Sequence, residues 1–337
     1  MPEPTIDPVT GFRIPAPWLD LCPDPQAREK IQNGRWVLLS NGLLLQRGLT
    51  TGTTAAAACK GAVLSLKGPV HSVEVGTPAG LRITFPVVAE GGLCVAVKDG
   101  GDHQFDVTGD LKIVAKANPS QKTDLVAGRG VGKIMARGLC DQIGRPAISR
   151  SARGQILLAI EEGLSGAGLA GARVEICIPR GEDLAEKTLN PRLGIVGGIS
   201  ILGSTGFVEP WNDHLTESRA DELKKAPRVV VTTGRTGLKF SRVLFPDHSA
   251  VLMGSQLDRL SFQKDQDSIL CGLPALILKW AWPQVLQGTG YGTVAEMVER
   301  EPDHRNIAVA LQRARERLPG TRIVLLHRDG SIFRDLI

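Results

Sequence analysis

Aromatic residues are scarce in this chain. Phenylalanine, tryptophan and tyrosine together make up 4% of its 337 residues, and Tyr291 is the one tyrosine. Proteins that hold single-stranded nucleic acids commonly stack the bases on aromatic rings, so the composition argues against that class. The net charge of +5 is also too small and too scattered for a nucleic-acid surface, although it suits an acidic small molecule as the partner.

Long apolar runs and paired metal-binding residues are missing too. The chain has no run of about 18 apolar residues, and its proline-rich, acidic N-terminus lacks the features of a signal peptide. The six cysteines are far apart without a C-x-x-C pair, and the six histidines are isolated, so neither a zinc site nor an iron–sulfur cluster is indicated. These absences predict a cytoplasmic protein with free thiols, no membrane span and no protein-bound metal.

Turn signals and charge divide the chain into three predicted parts. Residues 1–45 are predicted to form an extension with a short helix near 25–33 and a hairpin around Asn41-Gly42. Residues 46–222 are predicted to form an α+β domain, with an exposed linker helix over 212–225. Residues 223–337 alternate strands with helices, which predicts a three-layer α/β domain with a parallel sheet and crossover helices.

Hydrophobic patterns place the elements within these domains. In the α+β domain they predict helices over 51–66 and 149–163 and strands over 71–75, 81–88, 94–98, 111–116 and 174–178. In the last domain they predict strands over 228–232, 250–254 and 275–280, helices near 238–245, 256–270, 293–300 and 307–318, and a terminal hairpin that turns at Asp329-Gly330.

A cluster of small hydroxyl residues leads directly into an alanine-rich helix. Thr50, Thr51, Thr53 and Thr54 surround Gly52, and four alanines follow. Threonine caps a helix by accepting a free backbone N–H, and the helix dipole and spare hydroxyls favour an anion at the same place. A well-capped buried helix with no ligand explains the same pattern equally well.

Two further stretches have the composition of binding loops. Residues 187–210 hold five glycines between Gly194 and Gly206, which indicates either a close backbone approach to a ligand or a glycine-rich strand packed on the alanine helix. The loop Thr233–Gly237 follows a predicted strand, where ligands of open α/β sheets bind. It is not a G-x-G-x-x-G motif, so a plain tight turn remains an alternative.

An acidic loop follows the strand near residue 97. Asp99, Asp102 and Asp106 surround His103 between Lys98 and Thr108. Such a cluster could order the loop, bind a cation or accept a proton, and a solvated acidic turn accounts for it as well.

Several of these segments resemble the signature sequences of the CbiD family. The resemblance lies in Arg47-Gly-Leu-Thr-Thr-Gly-Thr-Thr-Ala-Ala-Ala-Ala-Cys-Lys60 and in the long stretch Thr188–Pro210. Lys98-Asp-Gly-Gly-Asp with Asp106-Val-Thr108 is similar to that family's K-D-x-G-D…D-V-T loop, and Gly128-Arg-Gly-Val-Gly132 to its next glycine loop. The match covers roughly residues 45–215.

The resemblance implies a reaction and a fold. The reaction is an S-adenosylmethionine-dependent methyl transfer to C1 of the cobalt-corrinoid cobalt-precorrin-5B in anaerobic cobalamin synthesis, with a direct hand-off to other enzymes of that pathway left open. The fold is an α+β domain similar to the second domain of ribosomal protein S5, followed by a Rossmann-like domain. The family's F-N-T-H-S-like segment is absent, and the corresponding region near 281–305 is shortened.

The substrate implied by the resemblance is a macrocycle ringed by carboxylates. Helix N-termini, hydroxyls and basic side chains near glycine loops suit such a ligand. The substrate-binding candidates are therefore Arg47, Thr50, Thr51, Gly52, Thr53, Lys60, Lys98, Arg129, Lys133, Arg192, Gly203 and Thr205. The cosubstrate S-adenosylmethionine is expected at Thr233, Gly234, Arg235, Thr236 and Gly237, facing the first domain across a cleft.

Three acids are candidates for a catalytic role. Asp99, Asp102 or Glu209 could take a proton or only position a loop, and nothing in the sequence selects one of them. Two other functions compete with methyl transfer. One is a phosphate-handling enzyme in which the threonine cluster holds a phosphate. The other is a corrinoid-binding paralogue without catalysis, or with altered specificity, in which the shortened C-terminal region has lost the cosubstrate site.

Overall fold

The computed structural model describes residues 4–103, 106–135, 143–211, 226–254, 256–263 and 265–337. Its mixed α/β fold has two compact units. The signature unit comprises residues 29–37 and 45–211, and the parallel-sheet unit comprises residues 4–28, 38–44 and 226–337. The predicted linker helix over 212–225 and the predicted domain boundary at 222 lie outside the described residues.

Short elements fill the first 46 residues. They are β1 (Thr5–Ile6), β2 (Arg13–Ile14), α1 (Ala16–Leu21), α2 (Ala27–Gln32), β3 (Trp36–Leu38) and β4 (Leu44–Gln46). The predicted helix and hairpin are confirmed, because α2 lies within 25–33 and β3 pairs with β4. Gly42 in the hairpin turn has a φ of 83°, and a Cβ there would lie 2.6 Å from the Leu21 carbonyl oxygen. Glycine is therefore the residue that this turn accepts.

The signature unit is built on a six-stranded sheet with two long helices. Its elements are β5 (Gly48–Leu49), α3 (Thr51–Leu64), β6 (Val70–Gly76), β7 (Arg82–Glu90), β8 (Leu93–Val97), β9 (Lys112–Pro119), β10 (Asp124–Ala127), β11 (Gly130–Val131), β12 (Lys133–Ile134), α4 (Arg150–Ala167), β13 (Ala172–Cys177), α5 (Gly181–Ala185), β14 (Ile195–Val196), β15 (Gly198–Ile199) and β16 (Phe207–Val208).

The six strands follow the order β10-β13-β9-β8-β7-β6, and only the β10–β13 pair is parallel. Alternate residues of β7 are buried, from Ile83 to Ala89. This period of two gives the sheet one apolar face, against which α3 packs. The five strands and two helices predicted for this domain are confirmed with shifts of a few residues at their ends.

The two long helices run parallel and very close to each other. A Cβ on Gly52 would lie 2.9 Å from the Ala152 Cβ, and one on Gly163 would lie 3.2 Å from the Val63 Cβ. The starts of α3 and α4 therefore lie side by side, as do their ends. Residues Ala55–Ala58 are completely buried, so small side chains are what allow this approach.

The glycine-rich stretch 187–210 does not form one strand. It contains a 3-10 turn (Pro191–Leu193) and the short strands β14, β15 and β16. Five of its glycines have positive φ values, which interrupts an extended backbone: Gly194, Gly197, Gly198, Gly203 and Gly206. The reading of this stretch as a glycine-rich strand is therefore wrong, although its packing on the alanine helix is confirmed by the contacts described below.

The parallel-sheet unit alternates strands and helices. Its elements after residue 226 are β17 (Arg228–Thr232), α6 (Arg235–Leu244), β18 (Ser249–Leu252), a 3-10 turn (Leu257–Arg259), β19 (Asp267–Gly272), α7 (Pro274–Ala281), α8 (Val294–Arg300), α9 (Arg305–Arg317), β20 (Arg322–Leu326) and β21 (Ile332–Leu336). The sheet has the order β18-β17-β19-β20-β21, and only β21 is antiparallel. The predicted parallel sheet with crossover helices and terminal hairpin is confirmed.

Two element predictions in this unit are wrong. The polar helix predicted over 256–270 is a 3-10 turn followed by β19, and the strand predicted over 275–280 is the helix α7. The run Ser268–Gly272 is buried along its whole length, as in a central parallel strand. Pro274 then occupies the first turn of a helix, where its missing N–H carries no cost.

None of the described helices is long and apolar enough to cross a membrane.

Candidate functional site

Arg47 is a fully buried cation at the start of the signature unit's first motif. Its Nε donates to Glu209 Oε2 at 2.9 Å, and its Nη1 donates to the carbonyl oxygens of Gly34 and Trp36 at 3.2 Å each. The side chain has no solvent exposure, whereas that of Glu209 is 15% exposed. A buried charge is tolerated when it is paired and hydrogen-bonded in this way, so Arg47 joins the two signature segments from inside.

The threonines at the start of α3 bind the glycine-rich stretch rather than open space. Thr51 Oγ1 donates to the Ser200 carbonyl oxygen at 3.1 Å and accepts from the Leu202 N–H at 2.9 Å. Thr53 Oγ1 donates to the Gly206 carbonyl oxygen at 2.9 Å. These hydroxyls are buried, and they connect the two segments that carry the family resemblance.

The backbone amides of the same helix start are also engaged. The Gly52 N–H donates to the Leu202 carbonyl oxygen at 2.9 Å, and the Thr53 N–H donates to Thr50 Oγ1 at 3.2 Å. A threonine N-cap is predicted for this helix, and Thr50 is the residue that provides it. Because both amides already have protein acceptors, a phosphate held by this helix terminus would have to displace chain contacts, which weakens the phosphate-handling alternative.

Gly203 belongs to the same junction, and Thr205 lies two residues further along its segment. A Cβ on Gly203 would lie 2.5 Å from Thr50 Oγ1, so glycine is needed for the close approach. Thr205 accepts from the Phe207 N–H at 3.3 Å through its hydroxyl and from the Ala79 N–H at 3.0 Å through its carbonyl oxygen. Gly203 therefore lies where the sequence predicts contact between the two motifs, whereas Thr205 contacts its own segment and the turn at Ala79.

The acidic loop is attached to the short strands β4 and β5 that precede α3. The Gln46 N–H donates to Asp102 Oδ2 at 2.6 Å, and the Leu49 N–H donates to the Asp99 carbonyl oxygen at 2.8 Å. The Asp99 carboxylate pairs with Arg35. Together with the Arg47–Glu209 pair, these contacts bring all three predicted acids to one short stretch of backbone, and their catalytic role stays a prediction.

Lys98 and Asp106 form a second buried ion pair within this loop. Lys98 is 2% exposed and its ammonium contacts the Asp106 carboxylate, which also accepts from the Thr108 N–H at 2.9 Å. Burial opposes ionisation of Asp106, but the hydrogen bond and charge of Lys98, helped by Thr108, outweigh it and lower the pKa of Asp106. The loop is therefore held by its own charges, and the described residues contain no group of three potential ligands arranged for a metal.

The other predicted cations lie on different elements of the signature unit. Lys60 Nζ donates to the Glu74 carbonyl oxygen at 2.7 Å and to Glu162 Oε2 at 2.5 Å. Arg129 is 78% exposed and pairs with Glu182. Exposed Lys133 lies on β12, and exposed Arg192 lies on the 3-10 turn before β14.

A cavity opens beside the acidic loop. It measures about 480 Å³, and its walls include Arg35, Leu49, Phe85 and Asp99. This volume lies within the usual range of small-molecule sites. The sequence analysis missed Arg35, because nothing in the sequence links it to Asp99, 64 positions away.

The predicted cosubstrate loop lies at a strand end of the parallel-sheet unit. Gly234 caps α6 directly after β17, and a Cβ added to it would meet no atom of the described residues within 4 Å. The chain leaves β17 towards β18 and leaves β19 towards β20, on the opposite side of the sheet. Adjacent strands whose connections diverge form the crevice in which open α/β sheets bind ligands.

Gly272 completes that crevice and was missed in the sequence. A Cβ on Gly272 would lie 2.6 Å from Thr233 Oγ1, and one on Gly237 would lie 3.2 Å from the Gly272 Cα. The sequence signal for Gly272 is its position at the end of the apolar run 268–272. It was overlooked because the strand was predicted at 275–280 instead.

These features define a class: a two-unit α/β protein with a strand-end crevice in one unit and a buried two-motif junction in the other. The comparisons then identify the family. The family model described as CbiD matches residues 39–210, and the chain belongs to the CbiD family.

Relatives match the chain over almost its whole length. The cobalt-precorrin-5B C(1)-methyltransferases of Methanosarcina acetivorans and Methanococcoides burtonii are 46% and 45% identical to it, and each alignment covers 98% of both proteins. A crystal structure of the cobalamin biosynthesis protein cbiD from Archaeoglobus fulgidus is 34% identical, with a TM-score of 0.57 over 95% of this chain and 99% of that one.

Proposed function

We propose that this protein transfers a methyl group from S-adenosylmethionine to C1 of cobalt-precorrin-5B. The observation that carries the proposal is 46% identity over 98% of the chain to a relative with that printed activity. The junction that the family's two motifs form in this chain, through Arg47, Thr51 and Thr53, supports it.

The protein's task in such a reaction is mainly alignment. The sulfonium cosubstrate supplies an already activated methyl electrophile, and the conjugated ring supplies the carbon nucleophile. An in-line approach of about 3 Å is then the principal requirement. Buried ion pairs at Arg47 and Lys98 fix the loop that carries Asp99 and Asp102, so these carboxylates stand at defined positions from which one of them could accept or hold a proton.

We place the cosubstrate at the crevice formed by Thr233–Gly237 and Gly272. The open space over Gly234 and the buried Thr233 hydroxyl suit a ligand that approaches the backbone closely. The corrinoid's carboxylates would be held by the signature unit, which carries all the substrate candidates named from the sequence. No residue of the chain is assigned to hold a metal, because the cobalt belongs to the substrate.

The finer fold and location are part of the same proposal. The strand order of the parallel sheet supports a Rossmann-like unit, and the mixed sheet with two parallel helices supports a likeness to the second domain of ribosomal protein S5. A cytoplasmic location agrees with the free cysteines found among the described residues. Direct transfer of the product to a following enzyme of the pathway would fit this location.

The decisive experiment is anaerobic methyl transfer. The protein is incubated with methyl-labelled S-adenosylmethionine and cobalt-precorrin-5B, and label in the corrinoid is measured. The proposal expects label at C1. No incorporation, beside a competent family member as the positive control, would exclude catalysis and leave the non-catalytic corrinoid-binding alternative.

The crevice is tested separately by Gly234→Val. The backbone there is extended and the space is open, so folding should be unaffected while S-adenosylhomocysteine binding weakens at least tenfold in calorimetry. Gly292→Val, at another glycine of the same unit without a positive φ, is the control. Equal affinity of the two variants for S-adenosylhomocysteine would show that the cosubstrate binds elsewhere.

A further inference from the structure

Three segments of the signature unit are basic and contain no acid. Residues 128–135, 143–154 and 187–208 together carry seven lysines and arginines but no aspartate or glutamate: Arg129, Lys133, Arg145, Arg150, Arg153, Lys187 and Arg192. The whole chain has 40 basic and 35 acidic residues, so this local separation of charge is far from the average composition.

Backbone hydrogen bonds join these three segments. The Ile134 N–H donates to the Arg145 carbonyl oxygen at 3.0 Å, and the Met135 N–H donates to the Gly194 carbonyl oxygen at 2.8 Å. β12 also pairs antiparallel with β14, and Lys133 bridges to Pro146 on its other side. Residues 133–135, 144–146 and 194–196 therefore form one small three-stranded sheet, called here the basic ribbon.

The register of the ribbon separates a core face from an exposed face. Ile134 and Ile195 are opposite each other and buried with Ala147 in a small apolar cluster. Lys133 and Val196 are the next opposite pair, and both are exposed. Since side chains alternate along a strand, Met135 shares the outer face with Lys133.

The outer face combines cations with exposed apolar side chains. Met135 is 53% exposed and Val196 is 48% exposed, and the turn that leads into β14 adds exposed Arg192 and Leu193. Lys133 and Arg192 have no ion-pair partner among the described residues, whereas Arg129, in the same segments, pairs with Glu182. Unpaired cations beside apolar groups, without a nearby acid in these segments, fit an anionic ligand that also has an apolar surface.

We infer that the outer face of the basic ribbon, together with the adjoining turn that carries Arg192, binds the edge of a polycarboxylate macrocycle. Lys133 and Arg192 would pair with ring carboxylates, while Met135 and Val196 would contact the apolar ring. This inference rests on the proposed function and locates its substrate. It shifts the carboxylate contacts away from the start of α3, where Gly52 and Thr53 already donate to the chain's own acceptors.

The test measures binding of cobyrinic acid, a cobalt corrinoid with free carboxylates, by its absorbance change at 0.15 M salt. The double variant K133E/R192E should weaken binding at least tenfold, because two attractive charges become repulsive, and leave S-adenosylhomocysteine binding unchanged.

Cobinamide, in which the ring carboxylates are amides, should bind the unchanged protein at least tenfold less tightly than cobyrinic acid. Val196→Gln should weaken cobyrinic acid binding but not change the weak binding of citrate.

The matched control is K112E/K116E. Lys112 and Lys116 are exposed lysines of β9 in the same unit, so this variant makes the same change in net charge elsewhere. Cobyrinic acid should bind the control within twofold of the unchanged protein. Equal weakening in both double variants would overturn the inference in favour of unspecific charge attraction, and unchanged binding in K133E/R192E would overturn it outright.

Kinetics separate this inference from the proposed function. If the unchanged protein methylates cobalt-precorrin-5B and K133E/R192E raises KM with little change in kcat, both the ribbon inference and the proposed function are supported. If the variant keeps the same KM, the ribbon inference fails while the methyltransferase remains. If the unchanged protein binds cobyrinic acid but transfers no label, and K133E/R192E loses that binding, the ribbon inference stands and the proposed catalysis fails.

Discussion

At the scale of residues, the fold of the signature unit depends strongly on the single side chain of Arg47. Its guanidinium has no access to water and depends on Glu209 and two carbonyl oxygens for all the hydrogen bonds described above. Removing one partner of a buried ion pair costs more than the pair itself contributes, because the other charge stays buried.

We therefore expect Arg47→Met to lower the free energy of unfolding by about 3 kcal/mol in urea titrations. Arg129→Met is the matched control, because its pair with Glu182 is exposed and surface pairs contribute little. A loss that is equally small for the two variants would contradict the structural role of Arg47.

The Thr51 hydroxyl gives the second prediction at this scale. Thr51→Val keeps the shape but leaves the Ser200 carbonyl and the Leu202 N–H without their partner. We expect a loss of about 1–3 kcal/mol in the same titration. Exposed Thr123, whose side chain makes no hydrogen bond with the described residues, is the control, and Thr123→Val should change stability much less. Unchanged stability in Thr51→Val would show that this hydroxyl serves a ligand instead.

The sequence could predict the residue types at this junction but not their partners. A threonine cap at the start of α3 follows from local chemistry and is confirmed at Thr50. The acceptors of Thr51 and Thr53 lie about 150 positions away, and only the tertiary structure decides whether a hydroxyl meets a carbonyl or a ligand. This is why the roles of the candidate residues stay predictions while the contact between their segments is confirmed.

At the scale of elements, the fit between α3 and the sheet depends on glycine. A Cβ on Gly61 would lie 2.6 Å from Cys94 Sγ, whereas one on Gly154 in α4 would have no neighbour within 4 Å in the part of the chain that the structure describes. Both glycines are inside helices, where alanine is intrinsically better by about 1 kcal/mol.

We expect opposite signs for the same substitution at these two sites. Gly154→Ala should raise the free energy of unfolding by up to about 1 kcal/mol, and Gly61→Ala should lower it by about 1–3 kcal/mol because the core is overpacked. Thermal and urea unfolding of the two variants measure this. Stabilisation by Gly61→Ala would mean that α3 and the sheet can move apart freely.

A charged cluster ties α3, α4 and β7 together and gives a pH prediction. Arg82 above all, and then Lys60, lower the pKa of Glu162 from an ordinary value of 4.5 to about 2, against a smaller opposing effect of burial. A carboxyl group with a lowered pKa stabilises the fold above its unfolded value, and this contribution is lost as the pH falls from about 5 towards 2.

Glu162→Gln should therefore be less stable than the unchanged protein at pH 7, and the difference should shrink as the pH is lowered to 3. Urea titrations at several pH values measure it, with Glu161→Gln at the exposed neighbouring position as the control. A difference that does not depend on pH would show that Glu162 acts through packing alone.

Element prediction from the sequence failed where two signals competed. Residues 274–281 are apolar enough to suggest a strand, yet Pro274 starts a helix there. The true strand, 267–272, begins with Asp267 and Ser268 and was assigned to a polar helix. Long periodic elements such as α4 and β7 were predicted well, because their burial pattern repeats over many residues.

At the scale of the whole molecule, the chain forms two compact units, and the proposal assigns the corrinoid to one and the cosubstrate to the other. The parallel C-terminal sheet with crossover helices and the packing of the two family motifs followed from the sequence, since both depend on local periodicity and glycine spacing, but the order of the strands did not. The division of the first 45 residues between the units did not, because no local signal marks which core a short segment joins.

The buried cysteines allow the opening of the two units to be measured separately. Cys59 and Cys94 are inaccessible in the signature unit, and Cys271 is inaccessible in the parallel-sheet unit. Burial raises the pKa of Cys94 and of Cys271 to about 12, so neither reacts until its surroundings open. With Cys22, Cys140 and Cys177 replaced by serine, thiol-labelling rates would time the opening of each unit separately. S-adenosylhomocysteine should then slow labelling at Cys271 and leave the rates at Cys59 and Cys94 unchanged.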